Sequence, residues 1–128
     1  MQENHLFEYA IIRVVPRVER EEFLNVGVIL YCKTQQFLQT LFTLDESRLL
    51  ALYPSVDIKE VQLHLKALQQ ISAGNPESGP IACLDIASRF RWLTAKRSTV
   101  VQTSGVHPGL CKEARDTLAK LHRELVLG

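Results

Sequence analysis

Polar and cationic side chains are concentrated in one stretch of the chain, residues 89–111 (RFRWLTAKRSTVVQTSGVHPGLC). This stretch contains four Arg or Lys residues, the single tryptophan Trp92, and His107. Guanidinium groups bind carboxylates and phosphates, and a histidine can transfer protons near neutral pH. Several hydroxyl and amide side chains lie in or beside a segment typical of a strand, where a structural sequence would place more apolar residues: Thr94, Ser98, Thr99, Gln102, Thr103 and Ser104.

A second group of polar residues lies near the N-terminus. Arg13 falls on the same face of a predicted strand as apolar residues, so its guanidinium needs a partner. A hairpin would place Asn25 or its neighbour across from Arg13, and a late strand beside the first would bring Gln102 next to it. We therefore predict one polar surface, whose candidate binding residues are Arg13, Glu22, Asn25, Arg89, Arg97, Ser98, Gln102, Ser104 and His107.

No recognised catalytic motif accompanies these residues. The sequence contains no nucleophile elbow, no glycine-rich phosphate loop, no paired-histidine metal motif and no kinase motif. Cys32, Cys83 and Cys111 are widely spaced, without a CxxC pair or a Cys/His grouping at zinc-ligand spacing. We therefore expect no metal site and no cofactor, with the cysteines acting as small apolar residues in a reducing cytoplasm.

Length and composition predict one soluble cytoplasmic domain over residues 1–128. The 128 residues are 46% hydrophobic and 23% charged, enough for a core without disulfides. No apolar run approaches the roughly 18 residues of a membrane helix, and no basic segment followed by an apolar one marks a secretory signal. The net charge of +1 argues against general affinity for nucleic acid, although it permits a local basic patch.

The first third of the chain predicts a β-meander. Residues 6–15, 23–32 and 37–43 are rich in β-branched, aromatic and other apolar residues, and polar turns separate them. Gly27 lies inside the second of these strands, where glycine usually marks a bulge or a close approach of backbone. We interpret it as a bulge or packing position.

From residue 45 onward, the spacing of apolar residues becomes that of helices. Residues 45–53 form a short helix, and 57–73 a longer one capped by Asp57, with apolar residues at spacings of three and four. His64 is expected at the surface of this second helix. Residues 85–93 form a third helix and 110–127 a last amphipathic one. We expect Trp92 to be a core residue, because aromatic side chains supply much of a core's buried area.

Residues 98–104 are predicted to form the fourth strand, and 105–109 (GVHPG) a tight loop. The order of elements is therefore β-β-β-α-α-α-β-α. This order predicts an α+β domain: an antiparallel or mixed sheet of about four strands, made of the meander and a late strand, with helices packed on one face.

Two blocks of the sequence resemble the bacterial domain of unknown function 3037 family: YAIIRVVPRVEREEFLNVGVILYC and residues 89–111. The first block matches the family pattern at Arg13, Pro16, Glu21 or Glu22, and 25–28. The second matches at Arg89, Phe90, Trp92, Leu93, Arg97, Ser98, Gln102, Thr103, Ser104, His107 and Pro108, whereas Lys96 and Gly105 replace expected prolines. Members are often encoded beside a HipA-like kinase protein, so the resemblance implies a partner and no mechanism.

Two kinds of function fit the candidate surface. The first is a regulatory accessory module that binds a protein partner, which the resemblance suggests is a HipA-like kinase protein; Arg and Trp are common interface anchors. The second is an enzyme or ligand-binding protein for a phosphorylated small molecule. Arg13 and Arg97 would then hold the anion, and His107 or Glu22 would act as acid or base.

Two further interpretations remain. Nucleic acid could bind through cations on both sides of Trp92, namely Arg89, Arg91, Lys96 and Arg97. Alternatively, Arg13 and Arg97 only satisfy the fold by pairing with Glu21, Glu22 or Asp85. The sequence favours the accessory module and leaves its partner, its substrate and its oligomeric state undetermined.

Overall fold

Five strands and four helices make up the computed structural model, which describes residues 3–128. The predicted domain begins at residue 1, so its first two residues lie outside this part. The strands are β1 His5–Val14, β2 Leu24–Cys32, β3 Phe37–Phe42, β4 Val101–Thr103 and β5 His107–Cys111. The helices are α1 Glu46–Leu52, α2 Ile58–Ser72, α3 Ile86–Leu93 and α4 Ala114–His122, which continues as a π-helical segment Arg123–Leu127. Among residues 3–128, no helix is both long and apolar enough to cross a membrane.

The strands form one antiparallel sheet in the order β3-β2-β1-β4, with β5 paired to β1 beyond the end of β4. The structure confirms the α+β class and the β1-β2-β3 meander. The sequence predicted about four strands and the structure has five, because part of the expected loop 105–109 is β5; β4 is also shorter than the expected 98–104. Glycine and proline suggested a turn, but an edge strand such as β5 tolerates Pro108 because one of its sides needs no ladder hydrogen bonds.

The junction between β4 and β5 is a bulge held by Ser104. The Ser104 amide donates to Ile11 O at 2.8 Å, and its hydroxyl accepts from the Ile11 amide at 2.8 Å. Gly105 and Val106 then lie opposite the single residue Ala10 before pairing resumes between Tyr9 and His107. The side chain of Ser104 therefore replaces a backbone partner where the ladder is interrupted.

A second bulge lies at Gly27 and confirms its interpretation. Ile12 pairs with Gly27 and Arg13 with Asn25, so Val26 is the extra residue. A Cβ atom on Gly27 would lie 2.7 Å from Leu41 O on β3, so only glycine fits this close packing of strands. The bulge fixes Asn25 directly opposite Arg13, as the hairpin predicted.

Helices cover both faces of the sheet, so the prediction of helices on one face was wrong. On one face, Ile12, Val14 and Ile29 pack with residues of α1, α2 and α3, including Leu65 and Phe90. On the other, the β1 and β2 residues Phe7, Val28, Leu30 and Cys32 pack with Ala114, Leu118 and Val126 from α4 and the segment after it. The sequence signal was present in β2, where an uninterrupted apolar run is typical of a strand buried on both sides.

Helix ends follow local capping except at α4. Asp57 and Asp85 accept from the amides of Glu60 at 3.1 Å and Ser88 at 3.2 Å, as N-caps should. The last helix was predicted from residue 110 but begins at Ala114, whose amide donates to Gln35 Oε1 at 2.7 Å. This cap comes from the β2–β3 turn and cannot be read from the local sequence. Leu110 lies instead on the edge strand β5 and is 67% exposed.

Candidate functional site

Half of one sheet face is left without a covering helix. Helix α4 packs on β2 and β3, and the segment after it on β2. Phe7 and Cys111 are still buried against α4, but from Tyr9 to Arg13 on β1, at Gln102 on β4 and at His107 on β5 the side chains of the same face are half-buried or exposed. We call this region the open sheet face and define it as Tyr9, Ile11, Arg13, Phe23, Gln102 and His107. It brings together three of the predicted candidate residues, Arg13, Gln102 and His107, with Asn25 beside them.

Arg13 is the charged centre of the open sheet face. Its cross-strand neighbours are Asn25 on β2 and Gln102 on β4, which confirms both predicted juxtapositions. Its guanidinium carbon lies 4.2 Å from the ring centroid of Phe23, which is 47% exposed. The Nε atom of Arg13 and the Oδ1 atom of Asn25 are buried and have no hydrogen-bond partner among residues 3–128. The neighbouring amides leave the charge of Arg13 unneutralised.

Tyr9 and His107 form the other end of the open sheet face. They pair across β1 and β5, and their ring centroids are 5.3 Å apart at an interplanar angle of 38°. Tyr9 was not among the candidate residues, although strand alternation places it on the same face as Arg13. Ser104 lies nearby, but both hydrogen bonds of its hydroxyl go to backbone groups, so its role is structural.

Other candidate residues lie elsewhere. Glu22 pairs with Arg20 at 2.5 Å in the connection before β2. Ser98 is exposed between α3 and β4. Arg89 donates to Leu84 O at 2.6 Å and packs beside Gly74. The expected single polar surface of nine residues is therefore divided among several places.

Arg97 lies on the opposite side of the sheet from Arg13. Its Nη1 atom donates to Leu93 O at 3.1 Å and its Nη2 atom to Trp92 O, at the end of α3. Its guanidinium carbon is 4.4 Å from the Trp92 ring centroid. These contacts replace the expected pairing of Arg97 with a carboxylate. They also separate the two arginines that were expected to hold one anion.

Trp92 is 42% exposed, so its assignment to the core was wrong. Phe90 and Leu93 occupy the buried side of α3, and a residue two positions after Phe90 points about 200° away from it on a helix. Trp92 instead lines a groove of about 340 Å³ between α2, α3 and β4. We call this the apolar groove; its lining residues are Leu63, His64, Ala67, Leu68, Ile71, Trp92, Leu93, Arg97, Thr99 and Val101.

The apolar groove has a hydrophobic floor, and the ionisable side chains at its rim are Arg97 and His64. Leu63 is 67% exposed there, and His64 lies at the surface of α2 as predicted. Arg97 is the charged residue among those that line the groove, which include no Asp or Glu. The sequence did contain a signal for the apolar groove. Leu63, Ala67 and Ile71 recur at helical spacing on α2, next to the buried stripe of that helix.

The arginines near Trp92 are already engaged. Arg91 donates to both carboxylate oxygens of Glu8, at 3.0 and 3.2 Å, and this pairing raises the pKa of Arg91. Arg89 and Arg97 bind carbonyl oxygens. The basic patch expected for nucleic acid therefore has few guanidinium groups available for phosphates.

The cysteines and the possible metal-ligating side chains of residues 3–128 do not form a further candidate site. Cys32 and Cys111 are buried as small apolar residues, and burial raises the pKa of the Cys111 thiol. Cys83 is exposed, which the sequence did not predict. Residues 3–128 include no group of three or more His, Cys, Asp or Glu side chains that could hold a metal ion.

The architecture is thus an α+β domain with one half-open sheet face and one apolar groove on the opposite side. Residues 9–126 match the family described as "Protein of unknown function (DUF3037)". The chain belongs to this family, as the two sequence blocks indicated. No curated protein and no solved structure shows significant similarity to it.

Proposed function

We propose that this protein is a partner-binding accessory module and that the apolar groove receives a segment of its partner. The observation that carries the proposal is the exposure of Trp92 and Leu63 in one continuous groove. Soluble proteins rarely leave large apolar side chains together at the surface unless the patch is used for binding. Tryptophan and arginine are also the residues most enriched among interface hot spots.

The groove favours an amphipathic helix or a short apolar segment with an acidic residue. Its floor is made of aliphatic side chains and an indole, which suits the apolar face of a partner helix. Arg97 contributes positive charge at the rim and no carboxylate opposes it. A partner carboxylate placed beside Arg97 would therefore be attracted, and an extra partner lysine there would be repelled.

The candidate partner is a HipA-like kinase protein, because the family resemblance associates such proteins with this one. A bacterial cytoplasmic location follows from the same proposal. The geometry gives less support to the other two functions. Arg13 and Arg97 lie on opposite sides of the sheet, so they do not form one clamp for a phosphorylated substrate. The arginines around Trp92 are engaged by Glu8 and by backbone carbonyls.

The test is affinity purification at native expression with quantitative mass spectrometry. Leu63→Ser and Leu110→Ser are a matched pair, since both leucines are 67% exposed and only Leu63 lines the groove. We expect a stoichiometric partner with wild type and with Leu110→Ser, and its loss with Leu63→Ser. Equal recovery with both variants would exclude the groove, and the absence of any stoichiometric partner would exclude the accessory function.

A second measurement uses the single tryptophan. Trp92 is the only indole in the chain, so its emission reports occupation of the groove directly. Titration with the purified partner should shift Trp92 emission to shorter wavelength, because docking removes water from the ring. An unchanged emission in a complex that forms would place the interface elsewhere.

A further inference from the structure

Arg13 has a charge that the fold does not neutralise. The ion pairs formed by residues 3–128 are Arg17–Glu19, Arg20–Glu22 and Arg91–Glu8, and none involves Arg13. The half-buried Arg13 lies next to the C-terminal end of the interior strand β1, between the neutral amides of Asn25 and Gln102. An unpaired cation loses hydration on burial, and proteins usually compensate this with a carboxylate. For Arg13, residues 3–128 supply no such carboxylate.

The surroundings of Arg13 are organised for an oxyanion. The guanidinium carbon of Arg13 lies 4.2 Å from the centroid of the Phe23 ring, and a guanidinium that contacts a ring can still form parallel hydrogen bonds to an oxyanion. Gln102 uses one N–H of its amide on Thr99 O at 2.8 Å, so its second N–H remains to donate. Arg13 and Gln102 are direct cross-strand neighbours. Two adjacent side chains thus present donors on one exposed face.

The open sheet face also limits the shape of the ligand. Phe23 offers an apolar surface beside Arg13, and its ring is 47% exposed. The Tyr9–His107 pair lies four residues away along β1, which is about 13 Å on an extended strand. One small oxyanion cannot contact both ends. A ligand that fits at Arg13 is therefore a compact group with an apolar or aromatic part that reaches Phe23.

We propose that Arg13 and Gln102 bind the oxyanion of a small molecule, a carboxylate or a phosphate monoester whose apolar part packs on Phe23. This site lies on the opposite side of the sheet from the apolar groove and uses none of its residues. It is therefore independent of partner binding through Leu63 and Trp92. A variant that no longer binds the partner should therefore still bind the oxyanion, and a variant that no longer binds the oxyanion should still bind the partner.

The probes are phenyl phosphate, benzoate and the neutral benzyl alcohol, titrated into isotope-labelled protein and followed by NMR. We expect saturable shifts of the Arg13 Nε–H and Gln102 side-chain amide signals with at least one anion and none with benzyl alcohol. Whichever of phenyl phosphate and benzoate binds more tightly shows whether the site prefers a phosphate ester or a carboxylate. Absence of saturable shifts with both anions would overturn the proposal.

Variants separate a specific site from general attraction of anions. Arg13→Gln should weaken binding by about tenfold or more, since a charged hydrogen-bonded pair is lost. Phe23→Leu alters an exposed ring and should weaken aromatic anions more than acetate. Arg115→Gln, on the exposed side of α4, removes the same charge elsewhere and should leave affinity unchanged. If Arg13→Gln and Arg115→Gln weaken anion binding equally, the proposed site is wrong. If Arg13→Gln does not fold, Phe23→Leu provides the test: an unchanged preference for aromatic anions over acetate would contradict the proposal.

Discussion

The guanidinium of Arg97 lies over the indole of Trp92, with 4.4 Å between the guanidinium carbon and the ring centroid. The same group donates to the carbonyls of Leu93 and Trp92 at the end of α3. Cations near a helix C-terminus satisfy its last carbonyl groups and interact favourably with the helix dipole. One side chain therefore ends α3 and holds the exposed tryptophan in place.

Arg97→Ala should lower the free energy of unfolding by about 1–3 kcal/mol, because it removes several charged hydrogen bonds. Arg97→Lys should recover only part of this loss, since an ammonium lacks the planar fork that reaches adjacent carbonyls. Urea denaturation measures both. Lys96→Ala, at the exposed neighbouring position, is the control and should change little. Equal stability of Arg97→Ala and Lys96→Ala would contradict the capping role.

Gly27→Ala should destabilise the protein by about 1–3 kcal/mol, because the added methyl group meets the backbone of β3. The new carbon would lie 2.7 Å from Leu41 O and 2.9 Å from Phe42 Cβ, so a strand has to shift. Gly105→Ala is the matched substitution, since a Cβ there meets nothing within 4 Å. Thermal unfolding compares the two. A melting temperature of Gly27→Ala as high as that of Gly105→Ala would refute the close packing.

Ser104→Ala should cost about 1–3 kcal/mol, since it leaves the Ile11 amide without its acceptor in a nearly buried position. Hydrogen exchange offers the specific readout, because the Ile11 amide should exchange faster in the variant while amides in the β2–β3 ladder remain protected. Ser98→Ala removes the same hydroxyl from an exposed loop and should alter neither quantity. Unchanged protection of Ile11 would show that another acceptor serves it.

His122 should make stability depend on pH below neutrality. Burial lowers the pKa of His122 from the ordinary value of about 6.5, so the unfolded chain binds this proton more readily. Stability is therefore complete above about pH 6.5 and falls as the pH drops through the lower folded pKa. Relative to His122→Gln, wild type should lose stability between pH 7 and 5. Parallel pH profiles of the two proteins would contradict the shift.

Local patterns predicted much of this fold. Segments rich in β-branched, aromatic and other apolar residues indicated β1, β2 and β3. Asp57 and Asp85 marked two helix starts, where their carboxylates accept hydrogen bonds from backbone amides. The start of α4 was missed because its cap, Gln35, is far away in sequence. β5 was missed because glycine and proline resemble a turn, although tertiary pairing with β1 overrides that preference.

The candidate site was predictable only in part. Hairpin register, which depends on local geometry, placed Asn25 or its neighbour across from Arg13. The position of Gln102 beside Arg13 was only a hypothesis that required a late strand to pair with β1, as β4 does. The contacts of Arg97 and Glu22 could not be predicted, because both side chains are long and flexible and their partners depend on the tertiary packing. Trp92 was misplaced for a related reason: residue type favours burial, but the angular position on a short helix decides which side of the helix faces the core.

The bulge at Gly105 and Val106 also bears on self-association. It divides the strand-forming segment at this edge of the sheet into β4 and β5, and Pro108 interrupts the donors of the second piece. Long flat edge strands recruit matching strands from other molecules and start aggregation, whereas short, bulged and proline-containing edges resist it. This edge is therefore a poor template for fibril growth, and a variant that straightens it would be expected to precipitate at concentrations the natural chain tolerates.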